Sequence, residues 1–170
     1  MAELKAKPST MTHETFLETY GGVYEHSPHF AAEVWRNIPH ESLDTVEGLA
    51  HALKSAVEAS GNGAQLALIR AHPDLADRAR LSPESVSEQA GAGLDHCSAE
   101  ELAEFRARNG AYKTRFGFPF IKAVRGFSRA QILDEFRRRA GNDPDVEFAT
   151  ALAEIHKIAF LRLSDLAQEP

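Results

Sequence analysis

The sequence predicts an all-α protein: a single-domain irregular bundle of about seven to nine helices, at the roughly 11–12 residues of a typical helix. Three observations carry this. Apolar residues recur at the spacing of a helical face along most of the chain. Ser and Thr stand at cap positions ahead of the long amphipathic stretches. No segment alternates apolar and polar residues as a half-buried strand does.

Taken in order, residues 1–10 read as a flexible tail. Ser27-Pro28 has the form of a cap followed by proline at the first helical position, with Val34 and Trp35 supplying a buried face. Thr45 caps a helix that ends before Gly61, and Val46, Leu49, Ala50, Leu53 and Val57 share one side of it. The run Leu66-Ala67-Leu68-Ile69 is helical by its Ala and Leu content. Ser98 with Glu101, and Ser128 with Gln131, have capping-box spacing. Gly141 is expected to close the second of these helices in the left-handed conformation. Asp143-Pro144 opens the last helix, with Phe148, Leu152, Ile155, Ala159, Leu163 and Leu166 as its stripe. The expected domain is residues 11–168.

The 170 residues carry a formal net charge of -6, and 43% of them are hydrophobic. An acidic balance argues against a nucleic-acid partner. It leaves an anionic small substrate open, because a site can be locally basic. A lone cysteine, Cys97, excludes both an internal disulfide framework and a Cys-rich zinc site. No apolar run reaches the roughly 20 residues that span a bilayer. The N-terminus lacks the apolar stretch of a signal peptide and the C-terminus is no peroxisomal address, so the cytoplasm is the expected compartment.

Three segments break the regular pattern: 71–75, 85–94 and 115–126. Such departures are where function is expected. His72 precedes Pro73, which disfavours helical geometry and so places an imidazole at a helix end. An imidazole there can give or take a proton near neutral pH; the blander reading is a packed histidine beside a turn capped by Asp74. Glu88 and Gln89 set a carboxylate beside a carboxamide, suited to a polar heterocycle; alternatively they are a solvated helix end closed by Gly91. Arg162 shares a helix face with Ile155, Ile158 and Ala159. There its fork either binds a substrate anion or forms an ion pair with an internal Asp or Glu. The run Phe116-Gly117-Phe118-Pro119-Phe120-Ile121 cannot stay a regular helix, so its backbone groups need other partners. No nucleotide loop, nucleophile elbow or helical zinc pair is present, and no metal or cofactor is expected.

At these segments the sequence resembles the 2-oxo-4-hydroxy-4-carboxy-5-ureidoimidazoline (OHCU) decarboxylases. The strings that carry the resemblance are His72-Pro73-Asp74-Leu75-Ala76, Ser87-Glu88-Gln89-Ala90-Gly91-Ala92-Gly93-Leu94 and Arg115-Phe116-Gly117-Phe118-Pro119-Phe120-Ile121-Lys122-Ala123-Val124-Arg125-Gly126. Ile132 to Phe136 with Arg139 and Asn142, and Ile158-Ala159 to Arg162-Leu163, add to it. The resemblance implies an all-α homodimer without a cofactor that forms (S)-allantoin in the last step from urate. It implies catalytic roles for His72 and Glu88: His72 as the catalytic acid or, in an alternative division, Glu88 removing the substrate hydroxyl proton while His72 stabilises charge. It implies a ureidoimidazoline site lined by Pro73, Ser85 or Ser87, Gln89, Phe120, Ile121, Val124 and Arg162. The alternative is a non-catalytic helical ligand-binding or scaffold protein of the same fold.

Overall fold

A computed structural model describes residues 1–77 and 83–167; the expected domain limit at residue 168 lies outside them. Among the described residues the chain forms eight α-helices: α1 (His13–Tyr20), α2 (His29–Asn37), α3 (Val46–Ala59), α4 (Asn62–Arg70), α5 (Pro83–Gly91), α6 (Ala99–Phe116), α7 (Arg129–Arg139) and α8 (Pro144–Asp165). Among those residues no strand occurs, only isolated bridges pairing Glu3 with Thr45 and Leu4 with Ala167. The all-α class and the expected number of helices both hold. No helix among them is long and apolar enough to cross a membrane.

The helices gather into two compact units, Met1–Ala71 with the chain from His156 onward, and His72–Ile155. In the first unit, Thr45 accepts the Gly48 N–H at 3.1 Å and starts α3 as expected. Its core is built from Phe16, Tyr20, Phe30, Val34, Leu49, Leu53, Val57 and Leu68, all essentially buried. Residues 1–10, expected as a loose tail, carry anchors instead. Leu4 is fully buried and its N–H donates to the Asp44 carbonyl at 2.9 Å. Lys5 donates to Leu166 at 3.0 Å, and the Tyr20 hydroxyl donates to the Ala6 carbonyl. Ser27 does not cap α2: its hydroxyl turns back to the Glu25 carbonyl at 2.9 Å, and the N-cap position falls to Pro28.

In the second unit, the Ser98 and Ser128 capping boxes both form and set the starts of α6 and α7. Tyr112, Phe118, Phe120 and Phe136 make an aromatic core, with Phe120 and Phe136 stacked at 3.9 Å. Two expectations change here. Gly141 is not among the left-handed glycines; α7 ends at Ala140 in right-handed geometry and the turn continues through Asn142 N–H to the Arg139 carbonyl. Much of segment 85–94 is helical, as α5. Pro83 suits a first helical position and the following Ser, Glu, Gln and Ala tolerate a helix, so left-handed geometry is confined to Gly93, at φ 77°.

Candidate active site

α4 stops at Arg70, and His72 follows in a short loop, as the proline after it predicts. His72 is only 8% exposed, and Pro73 is half-buried. Ala76 holds φ 62°, a left-handed conformation that costs a non-glycine residue about 1–2 kcal/mol. Strain of this kind persists only where the surroundings impose it. Here three side chains do so. Gln89 Oε1 accepts the Ala76 N–H at 3.0 Å, Asn109 Nδ2 donates to the Leu75 carbonyl at 3.0 Å, and Lys113 Nζ meets Asp74 Oδ2 at 2.6 Å.

Gln89 comes from α5, whose geometry sorts the candidates. Ser85, Glu88 and Gln89 are three and four positions apart and share a face. Ser85 and Gln89 are buried and Glu88 is half-buried, whereas Ser87 is exposed. Gln89 commits its amide oxygen to the His72 loop, so its amide nitrogen is the end with donors to offer.

α6 ends at Gly117, left-handed at φ 78°. From Phe118 to Val124 every residue is buried, yet 119–124 has no regular structure. Its polar groups find side chains instead of a ladder. The Ile121 carbonyl accepts from Arg139 Nη1 at 2.7 Å, and the Ala123 N–H donates to Glu154 Oε2 at 2.8 Å. Among the described residues, the N–H groups of Phe120, Ile121, Lys122 and Val124 make no backbone–backbone bond. The Lys122 ammonium pairs with Glu135 at 2.5 Å and lies 3.6 Å from the Phe127 ring centroid.

α6 is common to both irregular segments. Asn109 and Lys113 hold the His72 loop, while Tyr112, between them in sequence, packs its ring on Phe118 and Phe120. The Tyr112 hydroxyl donates to Glu147, which also receives Arg139 at 3.0 Å and Asn142 at 2.9 Å. Burial, then the hydrogen bond and charge of Glu147, hold the Tyr112 phenol well above its ordinary range, so it stays a donor.

Arg162 belongs to the first unit. There Nη2 lies 2.9 Å from Glu25 Oε2, and Nη1 donates to the Gly22 and Val23 carbonyls at 3.3 and 3.4 Å. The internal ion pair that the sequence left open is therefore formed. A groove between α2 and α3, lined by Val34, Ile38, His51 and Ala52, contains none of the candidate residues. Among the described residues no group of three or more His, Cys, Asp or Glu side chains is arranged to hold a metal ion.

Sequence reasoning missed Glu25, Asn109, Glu147 and Glu154, and saw Arg139 only through the family resemblance. A signal for the last helix existed. Glu147 and Glu154 fall on the same face as Ala151, Ile155 and Ile158, and carboxylates there need buried partners.

Comparison with known proteins places these features in context. A family model described as OHCU decarboxylase matches residues 9–164. The 2-oxo-4-hydroxy-4-carboxy-5-ureidoimidazoline decarboxylase of Haloferax volcanii is 40% identical over 152 residues, 89% of each chain. A crystal structure of (S)-allantoin synthase superposes with a TM-score of 0.73 at 33% identity; the match covers 92% of this chain and 51% of that one. A crystal structure of OHCU decarboxylase in the presence of (S)-allantoin gives a TM-score of 0.69 at 30% identity, over 85% of this chain and 94% of that one.

Proposed function

The chain belongs to the OHCU decarboxylase family, and we propose that it converts 2-oxo-4-hydroxy-4-carboxy-5-ureidoimidazoline to (S)-allantoin and carbon dioxide without a cofactor. It is a decarboxylase of urate degradation. The observation that carries the site assignment is the buried His72 in a strained loop, held by Gln89 from the helix that also bears Ser85 and Glu88.

The chemistry follows from the substrate. Its carboxylate and its hydroxyl share one ring carbon, C4, whose neighbour C5 carries the ureido group and is doubly bonded to a ring nitrogen. When the carbon–carboxylate bond breaks, its electron pair forms the C4=C5 double bond and the C5=N electrons pass to the ring nitrogen, which takes a proton; the molecule thus supplies its own electron sink and becomes an enol. His72 delivers a proton to one face of C5 and sets the S configuration, while the C4 hydroxyl gives up its proton and becomes the product carbonyl. Glu88 accepts from the substrate hydroxyl; in the alternative division of roles it removes that proton while His72 stabilises charge. The Gln89 amide nitrogen and the Ser85 hydroxyl serve ring and ureido groups, with Pro73 against the ring. Ser87 is the weaker candidate of the two serines, because it lies on the exposed side of α5. The N–H groups of Phe120, Ile121 and Val124, which make no backbone–backbone bond among the described residues, suit the oxygens of a ureidoimidazoline. Arg162, already paired with Glu25, offers directed N–H donors to a substrate oxygen.

The test generates the substrate from urate in situ and follows formation of chiral allantoin by circular dichroism. Optically active product at an enzyme-dependent rate is expected. Racemic product at the uncatalysed rate overturns the reading in favour of a binding protein. The assembly proposed is a homodimer, which light scattering after gel filtration checks, and the compartment proposed is the cytoplasm.

A further inference from the structure

The irregular segment 119–124 is buried without a ladder, so something else must fix the direction of its peptide groups. Two side chains from different helices reach its backbone. Arg139, from α7, is 1% exposed and donates to the Ile121 carbonyl at 2.7 Å. Glu154, from α8, is 5% exposed and accepts the Ala123 N–H at 2.8 Å. The two bonds lie two residues apart and bracket Lys122. The Arg139 guanidinium also lies 4.2 Å from the Phe120 ring centroid, and Glu147 grips its other edge.

This arrangement is more than a way to fill a core. A buried ion pair is often matched or bettered in stability by apolar side chains of similar volume. What apolar residues cannot do is hold a carbonyl and an N–H in fixed directions. Charged partners do so with bonds roughly twice as strong as neutral ones. With the Ile121 carbonyl and the Ala123 N–H occupied, the N–H groups of Phe120, Ile121, Lys122 and Val124 remain without backbone partners among the described residues.

We propose that Arg139 and Glu154 are positioning residues for decarboxylation, which clamp the Ile121–Ala123 backbone so that neighbouring N–H groups meet the substrate's oxygens in fixed directions. The proposal rests on the reading that this segment lines the substrate site. Neither side chain touches substrate; both act through the backbone.

The experiment compares Glu154→Ala with Glu154→Gln, and Arg139→Met with Arg139→Lys, in the full chain. It measures melting temperature, kcat, KM and the enantiomeric purity of allantoin, with rates corrected for the folded fraction. A misplacement of about 1 Å can cost on the order of 10²-fold. Folded Glu154→Ala should therefore lose about 10- to 100-fold in kcat/KM and release product of lower optical purity. Glu154→Gln, which keeps an acceptor for the Ala123 N–H, should recover much of both. Arg139→Lys loses the planar fork and should remain impaired even where it folds normally. If the Ala and Met variants do not fold, Arg139→Lys decides. Folded Glu154→Ala, Arg139→Met or Arg139→Lys with wild-type kcat/KM and optical purity overturns the positioning role alone. A wild-type protein without turnover removes the reading it rests on, and the positioning role with it.

Discussion

Arg162 and Glu25 face each other at 2.9 Å with both side chains almost wholly buried. The cation that the sequence offers to a substrate anion is thus matched inside the protein. A ligand reaching Arg162 meets a neutralised pair, so directed N–H donors matter there more than net charge.

Two substitutions separate a structural pair from a substrate-binding one. Glu25→Gln leaves the guanidinium buried with a neutral partner, and breaking a buried pair costs about 3–5 kcal/mol. Arg162→Lys keeps the charge but cannot reach Glu25 and both backbone carbonyls in one plane. Both variants should melt lower, and Arg162→Lys should also lose turnover beyond its loss of folded protein. Kinetics that merely track the folded fraction in thermal melts would assign Arg162 to the fold alone.

How much of this was legible in the sequence differs between local and distant features. The starts at Thr45, Ser98 and Ser128 were readable because a cap and its partner lie three residues apart. The helix end before His72 was readable from Pro73. Gly141 misled because glycine permits the left-handed conformation without requiring it. The buried N-terminal segment was hidden because Leu4 draws its anchor from Asp44, forty positions away in sequence. Glu25 with Arg162, and Arg139 with Ile121, were hidden for the same reason: a buried charge announces that it needs a partner, not which one.

The Glu147 carboxylate, fully buried, gathers the buried Arg139 and Tyr112 and the half-buried Asn142. Glu147→Gln leaves Arg139 without a buried counter-charge. A loss of about 3–5 kcal/mol is expected. In a chain of this size that is roughly 6–20 °C in melting temperature. Chemical denaturation with an unchanged slope and a lower midpoint should report the same loss. A midpoint equal to wild type would show that the cluster contributes nothing to stability.

His156 gives the fold a pH dependence. Burial chiefly, then the Lys54 charge, lowers its pKa from 6.5, and its Nδ1 lies 2.7 Å from the Tyr24 hydroxyl. The folded chain therefore binds this proton less readily than the unfolded chain. The stabilisation is complete above pH 6.5 and is lost as pH falls from there through the lower folded value. His156→Gln retains a hydrogen-bonding side chain but does not titrate. Between about pH 8 and pH 5 the wild type should lose more melting temperature than the variant. Parallel curves would remove His156 from the acid response.

Exhaustive dialysis against a chelator should leave decarboxylation intact. The expectation follows from the substrate's own electron sink and from the sequence, which holds no helical zinc pair or nucleotide loop. Chiral product formation before and after dialysis is the readout. Activity that falls and returns with added metal would require a different mechanism.

The sharpest test falls on His72. Its loop follows the end of α4, and Gln89, Asn109 and Lys113 hold the residues just beyond it. Those three anchors grip positions 74 to 76, and none of the three is made by the imidazole. His72→Ala and His72→Asn should therefore fold with melting temperatures near wild type. General acid–base groups commonly contribute about 10²–10⁴-fold, and a loss in that range is expected in both variants. The residual product should also lose optical purity, since an uncontrolled proton reaches either face of the enol. Loss of rate with retained stereochemistry would move the proton donor elsewhere, with Glu88 the next residue to replace. Full turnover of both variants would take His72 out of the mechanism.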